Sequence, residues 1–313
     1  MKKNIGIDVG GTTIKSGITD QNGKILYRAQ IPTNVNSGFD AIAQNMIKML
    51  EDLLKNSNVS QEEIDTIGIG IPGVAKEDGT IYYCTNLHWI NVPLGQIIQK
   101  HFPTVKVMIE NDATVAAIAE YALGSIKGVK NAIMLTLGTG VGGGIIIDGK
   151  KYSGSQQIGS ELGHMVIGDN NFYDCNCGCN GCFETYCSAT AVIKYAQKLI
   201  TDGEKSILTE KYTLENIDAK AVFDGYVLKD TVCIKSVDRF LEYFSTAIAN
   251  LIKIFDPEYI VLGGGMSAAF DLYIGKLEKL VAQKILFKEL PISKIIKAEL
   301  GNDAGIIGAA MLK

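Results

Sequence analysis

Short apolar runs closed by glycine turns, interleaved with stretches of helical periodicity, set the pattern of this chain. Residues 4–8, 13–19 and 24–31 read as three strands, with Gly10-Gly11 and Asp20-Gln21-Asn22-Gly23 as the turns between them. Phe39, Ile42, Met46, Met49, Leu50 and Leu53 then recur at the spacing of one helix face, predicting an amphipathic helix over 38–55. Strands follow at 66–71, closed by Pro72-Gly73, and at 105–110, and a helix over 113–123 is stopped by Gly124. The opening pattern then returns as a strand at 131–137, a glycine-rich turn at 138–144, a strand at 145–148 and a turn at Gly149-Lys150. Two such arrangements so far apart suggest a duplication, one unit per lobe. Residues 201–235 are polar and weakly periodic, as expected of short helices and loops. Val237, Phe240, Leu241, Phe244, Ile248, Leu251 and Phe255 mark a long helix, followed by a strand at 259–262 and by Gly263-Gly264-Gly265. Residues 304–312 form a small-residue apolar helix, narrow enough to pack tightly.

At 313 residues the chain can build two lobes, each with its own core, and the absence of low-complexity linkers predicts a shared interface with a cleft. Apolar residues at 47% and charged residues at 20% give an ordinary globular balance. A net charge of −4 supplies no basic field for nucleic acid, and no apolar run is long enough to cross a bilayer. Asp8 interrupts the first apolar stretch, so the start reads as a strand and not as a signal peptide. Seven cysteines, four of them within 175–182, do not suit a secreted disulfide framework; they fit a metal site in a reducing compartment, and a cytoplasmic location is expected.

Three glycine turns are candidate ligand sites. Asp8-Val9-Gly10-Gly11-Thr12-Thr13-Ile14-Lys15 puts a carboxylate at a strand end, then glycines whose N–H groups can converge on an anion, then hydroxyls and a lysine. Asp8 could hold Mg²⁺ there and Lys15 could offset phosphate charge; a plain hairpin with a surface lysine is the alternative. Gly138, Gly140 and Gly143 spell G-x-G-x-x-G, but a strand follows where a dinucleotide fold needs a helix. Gly144 to Lys150 mimics the start of a P-loop, with Lys151 where Ser or Thr is required. What remains around Gly138, Thr139 and Gly140 is a second phosphate-binding hairpin, so that a pair, one per lobe, could clamp a nucleoside triphosphate. Gly263, Gly264 and Gly265 lie between a strand and a helix, where a base or ribose could approach.

Glu110-Asn111-Asp112-Ala113 spans the junction of a buried strand and a helix. Asp112 could simply cap that helix. Strand ends facing a cleft also mount chemistry, and an ionised Asp there can orient a sugar hydroxyl and accept its proton during phosphoryl transfer. The helix start favours that ionised form, and Asn111 can both donate to and accept from a polyol.

Glu161-Leu162-Gly163-His164 precedes Cys175, Cys177, Cys179 and Cys182, and four cysteines spaced by Gly and Asn are a zinc signal. The preferred ligands are His164, Cys175, Cys177 and Cys182, with Cys179 spare; the four cysteines without His164 are the competing set. Four protein ligands leave no open position, so the zinc is expected to be structural. Zinc on one imidazole nitrogen would still fix the ring and leave the other for substrate.

Together these segments, with Gly68-Ile69-Gly70-Ile71-Pro72-Gly73, Thr85-Asn86-Leu87-His88-Trp89 and Cys175 to Glu184, resemble the ROK family of sugar kinases and repressors, within the actin-like ATPase superfamily. The resemblance runs nearly end to end. It implies a two-lobed α/β fold of the actin-like, ribonuclease H-like kind, with duplicated βββαβαβα-type lobes, a central cleft and a small zinc knot. Residues 1–112 would form a small lobe completed by a C-terminal helix at 300–313, and 113–299 a large lobe carrying the zinc motif at 164–184. The implied activity is ATP-dependent phosphorylation of a hexose, D-glucose to glucose 6-phosphate foremost, with Asp112 as base on the 6-hydroxyl. Asn111, Glu161, His164 and Glu184 would bond the other hydroxyls, Gly73 and Thr85 would line the pocket, and Gly10, Gly11, Thr12, Thr13, Gly138, Thr139, Gly140, Gly263, Gly264 and Gly265 would face ATP. A homodimer is implied as well. The alternatives are a kinase for N-acetylmannosamine, N-acetylglucosamine, fructose or allose, and a sugar-sensing regulator. Family repressors carry a winged helix-turn-helix before the first phosphate loop, which here begins within ten residues of Met1. Two departures stand out: Cys179 is an extra thiol in the knot, and Val74 follows Gly73 where some amino-sugar kinases carry a polar residue, which favours glucose.

Overall fold

Residues 2–286 and 289–312 are described by the computed structural model of the chain. Met1 and Lys313, the outermost positions of the expected small lobe, lie outside the described residues. Strand β1 (Lys3–Val9), β2 (Thr13–Thr19) and β3 (Ile25–Pro32) form an antiparallel meander that sets Asp8 opposite Lys15. Helix α1 (Phe39–Ser57) buries Ile42, Met46, Met49, Leu50 and Leu53, the face its spacing predicts. Then come β4 (Ile64–Ile71), β5 (Val74–Ala75), β6 (Ile81–Cys84), β7 (Trp89–Val92), α2 (Leu94–His101), β8 (Lys106–Asn111) and α3 (Asp112–Leu123). Three further strands follow, β9 (Ala132–Leu137), β10 (Val141–Ile147) and β11 (Lys150–Tyr152). The chain continues through α4 (Glu184–Cys187), α5 (Ala189–Thr201), α6 (Leu208–Lys211), α7 (Ala219–Val227) and α8 (Thr231–Phe255). It closes with β12 (Tyr259–Gly263), α9 (Phe270–Lys284), β13 (Lys294–Lys297) and α10 (Ala304–Ala310).

Two five-stranded sheets, ordered β3-β2-β1-β4-β8 and β11-β10-β9-β12-β13, repeat one plan. In each, a hairpin flanks one edge of a central strand and two parallel strands extend the other, β1-β4-β8 in the first and β9-β12-β13 in the second. The mixed α/β class and the duplicated strand plan expected from the sequence are therefore present. A small antiparallel sheet, β5-β6-β7, stands apart. Among the described residues no helix is long and apolar enough to cross a membrane.

The chain divides into two units, the first comprising residues 1–130, 144–160 and 299–313, the second 131–143 and 161–298. In the first unit α10 lies directly on β1 and β4. A side chain at Gly6 would collide with the Ile306 carbonyl, and one at Gly68 with the Ala309 carbonyl, so only glycine lets helix backbone touch strand backbone here. Glu120 on α3 is fully buried. Its Oε1 accepts from the N–H groups of Glu299 (2.9 Å) and Leu300 (2.8 Å), and its Oε2 from the N–H and hydroxyl of Ser125, both 2.8 Å. Glu120→Ala strips these buried donors of their acceptor and is expected to cost roughly 3–5 kcal/mol of unfolding free energy in denaturant titration. A loss below about 1 kcal/mol would show that water replaces the carboxylate.

In the second unit α8 is the central helix, packed by α5, α7 and α9. Phe240 and Phe244 stack at 5.2 Å between ring centres, and Phe244 stacks in turn on Phe183 at 5.9 Å. Two local expectations are corrected here. Helix α8 begins at Thr231, inside the span expected to be short helices and loops, because Asp230 caps it by accepting from the Cys233 N–H at 3.0 Å. The glycine turn expected over 138–144 ends at Gly140, and Gly142, Gly143 and Gly144 belong to β10. A Cβ on Gly144 would sit 2.6 Å from the Ala113 carbonyl, so this glycine serves close packing of β10 on α3 and not a turn.

Candidate functional site

In the first unit β8 ends on Asn111 and α3 starts on Asp112. The cap is Asn111, whose Oδ1 accepts from the N–H groups of Ala113 (2.9 Å) and Thr114 (3.1 Å). That corrects the capping role considered for Asp112, whose Oδ1 accepts from the neighbouring Ala113 N–H at 2.7 Å. Asn111 Nδ2 donates to the Gly73 carbonyl at 3.3 Å, drawing the Pro72-Gly73 turn to the same corner. Gly73 has no room for a side chain, since a Cβ would strike the Tyr83 carbonyl. The buried Cys84 thiol donates to the Pro72 carbonyl at 3.3 Å, and burial first, then the charge of Asp112, push it up to about 11. Thr85 follows it on the exposed side. Gly73, Asn111 and Asp112 are thus brought together, and Thr85 lies in the same unit.

The first glycine turn also lies in this unit. The Gly10 N–H donates to the Thr13 carbonyl at 3.0 Å, and Thr33 holds the turn by donating through its hydroxyl to the Gly10 carbonyl (2.6 Å) and through its N–H to the Thr12 carbonyl (2.9 Å). Space is open where Gly11 would carry a side chain. Asp8 is buried beside this turn; burial raises its carboxyl above the usual range, and Lys15 opposes the shift.

The second unit gathers the other residues. Gly138 and Gly140 close a turn through an N–H to carbonyl bond of 2.9 Å, and the start of α5 holds it as Ala189 N–H donates to the Gly138 carbonyl (2.8 Å) and the Thr190 hydroxyl to the Thr139 carbonyl (2.7 Å). Gly264, with φ of 77°, packs on the backbone of Leu137, which sets the Gly263-Gly264-Gly265 turn beside Gly138. Gly140 faces the Glu184 carboxylate with no space for a Cβ, and Glu184 Oε2 accepts from the Val141 N–H at 2.9 Å. Glu161 lies within the field of Glu184. Burial raises its carboxyl, His164 lowers it and Glu184 raises it further. His164 Nε2 stands 3.9 Å from Glu161 Oε2.

The other face of the His164 ring belongs to the cysteine knot. His164 Nδ1 is 3.5 Å from Cys175 Sγ, and Cys177 Sγ is 3.5 Å from Cys182 Sγ. The four ligand atoms of His164, Cys175, Cys177 and Cys182 lie within 4.8 Å of one another. Zinc–sulfur bonds of about 2.3 Å at tetrahedral angles separate two thiolates by about 3.8 Å, so the spacing and the donor set both fit zinc. Cys179 is exposed and outside the cluster. Burial opposes ionisation at Cys177, but the Cys179 N–H and the neighbouring thiols outweigh it and bring Cys177 down to about 7.

Two groups of supporting residues escaped the sequence reading. Arg239 of α8 lies over the rings of Tyr195 (4.6 Å) and Tyr186 (4.7 Å) and donates to Asn171 Oδ1 at 2.7 Å; Asn171 in turn bonds Asn180 inside the knot. A charge on the apolar-periodic stretch 237–255 was the available signal. Glu110 and Lys151 form a pair beside Asn111, and nothing local in the sequence joins them.

The ROK family model matches residues 4–313. The chain is 36% identical to a glucokinase of Halalkalibacterium halodurans over 98% of this chain and 94% of that one, and 35% identical to a glucokinase of Thermotoga maritima over 99% and 96%. Its structure is similar to that of a ROK family glucokinase from Streptomyces griseus in complex with glucose and AMPPNP, with a TM-score of 0.83, 28% identity, and coverage of 99% and 98% of the two chains. With the family model spanning the chain and its glycine turns and cysteine knot in place, this protein belongs to the ROK family.

Proposed function

We propose that this chain transfers the γ-phosphoryl group of ATP to the 6-hydroxyl of a hexose, D-glucose foremost, with Asp112 taking the hydroxyl proton. The observation that carries the proposal is the corner at Asn111 and Asp112. A carboxylate stands at the first turn of a helix whose cap is supplied by its neighbour, so the Asp112 side chain is not needed to start the helix. Similarity to glucokinases over nearly the full length of both chains supports the hexose.

In this reading Asp112 orients the hydroxyl and accepts its proton as the oxygen–phosphorus bond forms and ADP leaves. The transition state is loose, so positioning and charge neutralisation supply most of the rate. Glu161, His164, Glu184 and Asn111 bond the remaining hydroxyls, and Gly73 and Thr85 line the pocket. Gly10, Gly11, Thr12 and Thr13, Gly138, Thr139 and Gly140, and Gly263, Gly264 and Gly265 face ATP. Asp8 would hold the Mg²⁺ that accompanies ATP, and Lys15 would balance phosphate charge. Mg²⁺ would neutralise charge on the phosphates. His164, Cys175, Cys177 and Cys182 would hold one structural Zn²⁺, which would keep the imidazole in place, and His164 Nε2 would donate towards Glu161 and the sugar. The active form is proposed to be a cytoplasmic homodimer.

Val74, apolar beside Gly73, offers no side-chain hydrogen bond to an acetamido group, which favours a plain hexose. A coupled assay over a panel of hexoses and phosphoryl donors tests this. Glucose with ATP should give the highest kcat/KM, and N-acetylmannosamine ranking above glucose by about tenfold or more would overturn the substrate assignment.

A further inference from the structure

Directly behind the Asn111–Asp112 corner, Glu110 has a side chain that is 7% exposed. Its two oxygens have different duties. Oε1 accepts from the Asn111 N–H at 3.0 Å, and Oε2 is bound by the Lys151 ammonium, with the Ser153 hydroxyl at 3.4 Å. Lys151 lies in β11 and Ser153 just after it, and the loop that follows is tied to α3 by a buried bond of 3.0 Å between the Ser160 and Thr114 hydroxyls. The Glu110–Asn111 peptide, one before the peptide that carries Asp112, is therefore held by a buried carboxylate, and that carboxylate by a lysine from a distant strand.

We propose that Glu110 and Lys151 are positioning residues for phosphoryl transfer, fixing the aim of the Asp112 carboxylate through the Asn111 backbone. The inference rests on the kinase reading above. A buried carboxylate is held in place by its partners, and the charged one here is Lys151. If Lys151 is lost, Oε2 of this buried carboxylate loses its charged partner and the side chain can turn, which relaxes its hold on the Asn111 N–H. A shift of about 1 Å in a reacting group can cost on the order of 100-fold in rate while leaving substrate contacts elsewhere intact. The signature of such a role is loss of kcat at nearly constant KM.

Lys151→Met should lower kcat roughly 10- to 100-fold with hexose KM changed by less than about threefold. Lys151→Arg should restore most of the turnover, because a cavity of about 430 Å³ bordered by Glu110, Lys151 and Ser153 has room for the larger cation. In an Asp112→Asn background Lys151→Met should cost nothing further, since it acts only through that carboxylate. Where Lys151→Met fails to fold, Glu110→Gln carries the same test: its amide oxygen can still accept the Asn111 N–H, but the charge that holds Lys151 is gone. Unchanged kcat in these variants, losses confined to KM, or full additivity with Asp112→Asn would overturn the inference while wild-type activity stands. A wild-type chain inactive towards every hexose would overturn the kinase reading, and this inference with it.

Discussion

Asp112→Asn should cut turnover by roughly 10²–10⁴-fold and leave folding and sugar affinity nearly intact. The amide has the shape of the carboxylate, and its oxygen can still accept the Ala113 N–H that Asp112 Oδ1 takes at 2.7 Å. Helix α3 keeps its start because Asn111 supplies the cap. What the variant loses is a group able to take a proton from a hydroxyl at neutral pH. A coupled assay gives kcat and KM, and a thermal melt beside it shows whether the fold has survived. Turnover within about threefold of wild type would remove Asp112 from the base role.

Removing the metal should have the second-largest effect. Elemental analysis should find about one zinc per chain, and Cys182→Ser, which takes away the fully buried thiol of the cluster, should lose it. With Nδ1 no longer anchored, His164 turns freely beside Glu161, and activity should fall roughly 10- to 100-fold. The knot should also loosen locally, seen as faster proteolysis or amide exchange around 164–184. Cys179→Ser should leave zinc content unchanged, because that thiol is exposed and outside the cluster. Loss of zinc in Cys179→Ser with retention in His164→Ala would reverse the ligand assignment in favour of the four cysteines.

Much of this was legible in the sequence because the signals are local. Strands β1, β2 and β4 alternate or run apolar between glycine turns, and α1 carries six apolar residues at helical spacing, so their limits were read to within a few residues. Strands β5, β6 and β7 are two to four residues long, too short for any periodicity to register. Helix α9 did carry a signal, Tyr273, Leu277 and Val281 at four-residue intervals, that went unassigned. Gly142 to Gly144 read as a turn because glycine has two uses, and at Gly144 the one that applies depends on α3, which lies far back in the sequence.

The candidate site divides the same way. Asp8, Asp112 and the cysteine knot stand out because each chemistry is written in a few adjacent residues. The choice of His164 over Cys179 rests on which donor atoms converge, and that is a property of the folded loop. Glu110 and Lys151 are 41 residues apart and meet only because β8 and β11 bring them to one corner. Asn111, read as a sugar contact, turned out to be the cap of α3 as well, so its side-chain oxygen is committed before any ligand arrives.

The most direct test is a crystal structure of this chain with glucose and a non-hydrolysable ATP analogue bound. The account expects a carboxylate oxygen of Asp112 within about 2.6–3.2 Å of the sugar 6-hydroxyl, in line with the terminal phosphate. A sugar bound with its 6-hydroxyl turned away from Asp112, or held by residues that exclude Asn111 and Asp112 altogether, would contradict it.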